Sequence, residues 1–313
     1  MPFEVFEAQA ALLVRALPYV AAETCFALKG GTAINFFIRD LPRLSVDIDL
    51  VYLPIANREA SLLGIRSALG RIAQGIRKAI PGSAATENAT SDGTRIVVRH
   101  RSAQIKIEVT PVLRGTVHPV ELRTVRPAAE ERFGFAEIQV VSFADLYAGK
   151  MVAALDRQHP RDLFDVQHLL ANEGIYDVLF QTFLVYILSH NRPAHEVLQP
   201  RLKDIRQAFE QEFVGMTAGE TSLDALISAR EQLVSEIRSH LDERSKQFLL
   251  SFHELKPDWS LLATPDISNL PAIRWKLINI ELLQAKQPEK YRALIHDLAT
   301  LLSNGQDLGQ DLD

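Results

Sequence analysis

The spacing of apolar positions changes repeatedly over the first 145 residues. Residues 4–22 keep the three-to-four period of an amphipathic helix, Thr24–Leu28 is an apolar run of strand length, Gly30-Gly31 interrupts it, and Thr32–Ile38 returns to a helical pattern. Val46–Leu53 alternates with period two, which predicts a strand with one buried face. Residues 57–80 are helical in period and stop at Pro81-Gly82. Arg95–His100 and Ala103–Thr110 are β-rich runs joined by a short polar turn, a hairpin, and Ile138–Val141 is a last short strand. From Phe143 the strand signals cease. Helices are predicted at 144–157, 162–173, 176–190, 196–213, 222–250, 272–285 and 289–303, punctuated by Pro160, Pro193, Pro200, Pro257, Pro265, Pro271 and Pro288. This order predicts an α+β protein, with a mixed α/β domain over 1–143 and an all-helical domain over 144–313.

Composition narrows the class. A chain of 313 residues suits two domains, and 47% apolar residues are enough to fill their cores. A net charge of −5 excludes a highly basic nucleic-acid coat protein. The charge is uneven, with 17 Lys+Arg against 15 Asp+Glu in residues 1–145 and 17 against 24 thereafter. Arg95, Arg99, Arg101, Lys106, Arg114, Arg123 and Arg126 cluster in the first part. They form either a solvated sheet edge or a phosphate-facing surface. The single cysteine, Cys25, allows no internal disulfide and no zinc cluster, which fits a reducing cytosol. The start lacks a signal peptide's basic and apolar segments, and no apolar run is long enough to span a membrane. A cytoplasmic protein is expected.

The chemistry concentrates in three places. In Ser45-Val46-Asp47-Ile48-Asp49-Leu50, strand geometry puts Val46, Ile48 and Leu50 on one face and the two aspartates side by side on the other. Two carboxylates so placed repel unless a cation lies between them, and a hard ion such as Mg2+ suits them. Upstream, Lys29-Gly30-Gly31-Thr32-Ala33 puts a glycine turn between a strand and a helix start, where backbone amides and the helix dipole favour phosphate. In Ile105-Lys106-Ile107-Glu108-Val109, Glu108 stands on a polar strand face, from which it can complete a carboxylate triad and serve as general base. Each string also has a plainer reading, as a solvated strand face or an ordinary turn. Phe36, Phe37, Phe133 and Phe135 are expected in the core, and His159 and His168 as surface or packing residues.

Together Gly30-Gly31, Asp47-x-Asp49 and Glu108 resemble the active-site signature of the DNA-polymerase-beta-like nucleotidyltransferases. Fifteen residues separate Gly31 from Asp47, more than that superfamily's usual spacing. The longer form, Lys-Gly-Gly-Thr-Ala followed by Arg-x-Ser-x-Asp-x-Asp-Leu from Arg43, resembles the AbiEii/AbiGii-type nucleotidyltransferase toxins. A second block, Lys150 to Arg157 and then Arg161-Asp162-Leu163-Phe164-Asp165, is similar to that family's Lys…Arg…Arg-Asp-x-x-Asp block. Lys150 and Arg157 are seven apart and share a helix face, as do Asp162 and Asp165, three apart. Asp162 also suits a helix N-cap.

The resemblance implies a toxin of a bacterial toxin–antitoxin system. Asp47 and Asp49, with Glu108, would bind Mg2+; Gly30, Gly31, Thr32 and Ser45 would hold phosphates. Lys150 and Arg157 would hold triphosphate and the incoming base or sugar, with Asp162 and Asp165 orienting them. The helical domain would close the cleft. The implied donor is an NTP, with pyrimidines favoured. The implied acceptor is RNA, at a tRNA 3′ end, and the implied partner is a cognate antitoxin. In some members the serine at the position of Ser45 is phosphorylated. The alternatives are transfer to a small molecule or protein, and a catalytically inactive nucleotide-binding protein on the same scaffold.

Overall fold

The computed structural model describes residues 2–87, 94–217, 219–264 and 267–303. Its contacts divide the chain into two units, Met1–Leu146 with Arg206–Ser222, and Tyr147–Ile205 with Leu223–Asp313. The segment Arg206–Ser222, expected among the helices of the second domain, therefore belongs with the sheet.

The first unit runs α1 (Pro2–Ala21), β1 (Phe26–Lys29), α2 (Gly30–Thr32) continuing as a π-helical turn (Ala33–Ile38), β2 (Asp47–Tyr52), α3 (Arg58–Ala79), β3 (Ser83–Glu87), β4 (Arg95–His100), β5 (Ala103–Val109), β6 (Glu121–Thr124), α4 (Pro127–Phe133) and β7 (Glu137–Val140). Seven strands form one sheet in the order β3-β4-β5-β2-β1-β7-β6. β2 is central, antiparallel to β1 and parallel to β5. Alternation along β2 and β5 sends Ile48, Leu50, Ile105 and Ile107 to one face, each at most 1% exposed. That face is backed by α1 and α3, whose apolar stripes include Leu13 and Leu17 on α1, and Ile65, Leu69, Ile72 and Ile76 on α3. Each such buried side chain contributes about 1.5–3 kcal/mol. The polar residues of the same strands are left on the opposite face.

α5 (Phe143–Asp156) leads from the sheet into α6 (Pro160–Asn172), α7 (Asp177–Leu188) and α8 (Ala194–Leu198). The chain re-enters the first unit with α9 (Arg206–Glu212), then returns as α10 (Leu223–His240), α11 (Glu243–His253), α12 (Pro271–Lys286) and α13 (Pro288–Ser303). The helix expected at 196–213 is broken because Pro200 disfavours helix at Gln199 and removes a donor. The one expected at 222–250 is split by Asp242, which caps α11 by accepting from Ser245 N at 2.8 Å. Phe36 and Phe37 are buried as expected, whereas Phe135 is 60% exposed. Among the described residues no helix is long and apolar enough to cross a membrane.

His253 makes the second unit sensitive to acid. It is fully buried at the end of α11, and its Nδ1–H donates to the Leu249 carbonyl at 2.7 Å. Burial pushes its pKa down to about 4, against the pull of that hydrogen bond and with help from Lys276 and His195. The folded value lies below the ordinary 6.5, so the unfolded chain takes up the proton first. Stability present above pH 6.5 is then lost as pH falls toward 4, by up to roughly 3 kcal/mol. Urea midpoints at pH 7, 5.5 and 4.5 are expected to fall more steeply for the native chain than for His253→Gln.

Candidate active site

The sheet's polar face is organised by register. Lys29 lies opposite Asp49, Asp49 opposite Glu108, and Glu108 opposite Arg95, a four-residue row across β1, β2, β5 and β4. Asp47 lies on the same face, opposite Lys106. Neighbouring strands are about 4.8 Å apart, so these charges act on one another directly.

The glycine turn lies against the acids. Gly30 has φ +72, and a Cβ there would come within 2.3 Å of Asp49 Oδ2. A Cβ on Gly31 would meet Arg43 Nη2 at 2.6 Å and Ser45 Oγ at 3.2 Å. The missing side chains are what let carboxylate, guanidinium and backbone amides converge. Thr32, fully buried, donates from its hydroxyl to the Asp47 carbonyl at 2.5 Å and lies 2.9 Å from Ser45 Oγ. The end of α2 is thereby tied to the first residue of β2. In the π-helical turn, Asn35 Nδ2 donates to the Gly31 carbonyl at 2.9 Å, a second clamp on the turn. Gly30→Ala is expected to cost about 1–2 kcal/mol for the left-handed backbone, and to displace Asp49 as well. Urea unfolding reads the first effect, and nucleotide affinity by calorimetry the second.

Arg43 is the residue that sequence reasoning underrated. It is 3% exposed, flanks Gly31, and donates from Nη1 to the Leu44 carbonyl at 2.9 Å. Its loop is held by the re-entrant segment through an isolated β-bridge from Arg43 to Thr217, and a bond from Leu44 N to Met216 O at 2.7 Å. The available signal was its position two residues before Ser45 in the Arg-x-Ser-x-Asp-x-Asp string.

Glu108 departs from the expected triad. Its Oε1 pairs with Arg95 Nε at 2.5 Å, both side chains being about a third exposed. Among the described residues no three His, Cys, Asp or Glu side chains come together as a metal site. The acidic pair and Glu108 are thus neighbours in register without forming a three-carboxylate cage.

The second block folds onto itself. Lys150 Nζ lies 2.7 Å from Asp162 Oδ1 and 3.0 Å from Asp165 Oδ2, with all three residues at most 6% exposed. Arg157, just beyond α5, engages both oxygens of Asp162 at 2.5 and 2.9 Å from a largely exposed position. Asp162 is not the N-cap of α6. That position is taken by His159, which accepts from Arg161 N at 3.1 Å. Burial works to raise the Asp162 carboxyl, but the Lys150 charge and the Arg157 hydrogen bonds outweigh it and hold the group well below the usual carboxylate range. His168 packs edge-on against Phe164.

The family model for the AbiEii nucleotidyl transferase toxin of type IV toxin–antitoxin systems matches residues 11–279. No curated protein matches the chain. Among solved structures, the chain is similar to MenT4, a nucleotidyltransferase toxin from Mycobacterium tuberculosis H37Rv. The identity is 16%, the TM-score 0.58, and the match covers 95% of this chain and 93% of that one. At that identity the likeness concerns the fold.

Proposed function

The chain belongs to the AbiEii nucleotidyltransferase toxin family of type IV toxin–antitoxin systems, and from that membership we propose that it transfers a nucleotide from an NTP to a tRNA 3′ end in a Mg2+-dependent reaction. A toxin of this class implies a cognate antitoxin. The observation that carries the reading is the contact between the Gly30 turn and the Asp49 carboxylate. Amides that favour phosphate and acids that favour a cation then share one pocket.

Mg2+ fits this donor set, because it accepts one or two carboxylates and keeps several waters, so a third acid is not required. Asp47 and Asp49 would hold it, and when bound it supplies neutralisation of the phosphate charge. The chain's own residues supply positioning. The amides at Gly30–Thr32 orient the triphosphate. Glu108, next to Asp49, accepts the proton of the attacking 3′-hydroxyl, while Arg95 fixes one of its oxygens. The hydroxyl oxygen bonds to the α-phosphorus as the α–β bridging bond breaks and pyrophosphate leaves. Pyrimidine NTPs are the proposed donors. The Lys150 cluster is assigned a bracing role between α5 and α6, since its charges neutralise one another.

Incubation with each labelled NTP, Mg2+, and tRNA, total RNA, protein or an aminoglycoside tests the reading. Label is expected in tRNA and is expected to vanish with EDTA. Label confined to protein or a small molecule overturns the acceptor, and Mg-NTP binding without turnover overturns catalysis.

A further inference from the structure

Away from the acidic pocket, one buried cation lacks the counter-charge that burial demands. Arg114 follows β5 and is 8% exposed, yet among the described residues no carboxylate pairs with it. Its Nη1 donates to the Asn57 carbonyl at a long 3.3 Å, and among the described residues its buried Nε has no hydrogen-bond partner. Burial lowers its pKa, the nearby Arg58 lowers it further, and Tyr52 only partly opposes them. Leaving a guanidinium buried in this state is costly, and proteins ordinarily answer it with an anion.

Arg58 and Arg114 meet at the N-terminus of α3. Asn57 is the N-cap, accepting from Ala60 N at 2.8 Å, and Arg58 and Glu59 are the first two residues of a 22-residue helix. Their amides have no helical acceptor, and the positive end of the helix dipole lies here. Glu59 itself is exposed. We infer that the α3 N-terminus, Arg58 and the unpartnered Nε edge of Arg114 form a binding site for a phosphate-type oxyanion, either a phosphodiester of an RNA strand or free phosphate. A guanidinium edge and helix-terminal amides both match the oxygens of such a group. Gly115 N donates to the Tyr52 carbonyl at 2.8 Å, which fixes the site at the far end of β2 from Asp47. The length of that strand separates the two by about 16 Å. The site is therefore distinct from the glycine turn.

Amide NMR of the full chain tests it, with inorganic phosphate and a short oligoribonucleotide as separate probes. Arg58, Glu59 and Ala60 amides are expected to shift, with affinity at least tenfold weaker in Arg114→Gln and Arg58→Gln. Gly30 and Gly31 report the other pocket in the same spectra and are expected to respond alike in all three proteins. Saturation by the oligonucleotide at lower concentration than phosphate identifies an RNA strand as the source; the reverse identifies the free anion. Amides 58–60 that ignore both probes, or that respond equally in native and variant chains, overturn the site. Arg58 is exposed, so its variant keeps the test decisive even where Arg114→Gln fails to fold.

Discussion

Asp47→Asn is expected to lose nucleotide transfer by on the order of a thousandfold, while its urea midpoint stays close to that of the native chain. Losing a hard carboxylate from a cation site costs several kcal/mol of transition-state stabilisation. The side chain lies on the open polar face of β2, and its amide isostere leaves Ile48 and Leu50 in the core. Single-turnover kinetics with a labelled NTP and tRNA reads the first quantity, and equilibrium unfolding the second. Robust transfer by Asp47→Asn would refute the assignment of the acidic pair. A loss of transfer matched by a loss of folding would make Asp47 structural.

Lys150→Ala is expected to behave in the opposite way. Two carboxylates at 1% exposure share its ammonium, and removing one partner from a buried ion cluster costs about 3–5 kcal/mol. Arg157 remains on Asp162, so the double variant Lys150→Met/Asp165→Leu should recover part of the loss. The folded-state pKa of Asp162 lies below the ordinary 3.8, so its contribution is present above that value and is lost as pH falls through the folded one. The native chain should therefore lose stability in strong acid, and the Lys150→Ala chain less so. A variant that unfolds at the native urea concentration yet transfers nothing would return Lys150 to the triphosphate role that its motif suggests.

Much of this architecture was legible where one physical signal dominated. Alternation in Val46–Leu53 and Ala103–Thr110 located the two strands that carry Asp47, Asp49 and Glu108, and the glycine pair located the turn beside them. β3 escaped because Ser83-Ala84-Ala85-Thr86-Glu87 has no apolar alternation, and only pairing with β4 makes it a strand. β6 is an exposed edge held by β7. α4 is short, and its signal is the single Pro127 at its start. The side-chain partners were the harder part. Spacing put Lys150 and Arg157 on one helix face and left open whether they meet phosphate or protein, because Asp162 and Asp165 satisfy them across a turn that periodicity does not describe. Alternation puts Glu108 on the polar face of its strand and says nothing of its cross-strand neighbour Arg95, since which strand pairs with which is a tertiary fact. Composition groups Arg114 with the surface arginines of the first part, whereas the fold buries it.

The bond from Leu44 to Met216 sets the order in which this protein can be finished. A ribosome that has released the whole sheet has not yet made the stretch that steadies the Arg43–Ser45 loop. Non-local pairing of this kind closes late, after the intervening helices have emerged. A truncation after Leu146 would keep every acidic and glycine residue of the pocket and still lack Phe213 and Met216, each about 1% exposed in the intact chain. The nascent enzyme completes that loop only once synthesis has passed the re-entrant segment.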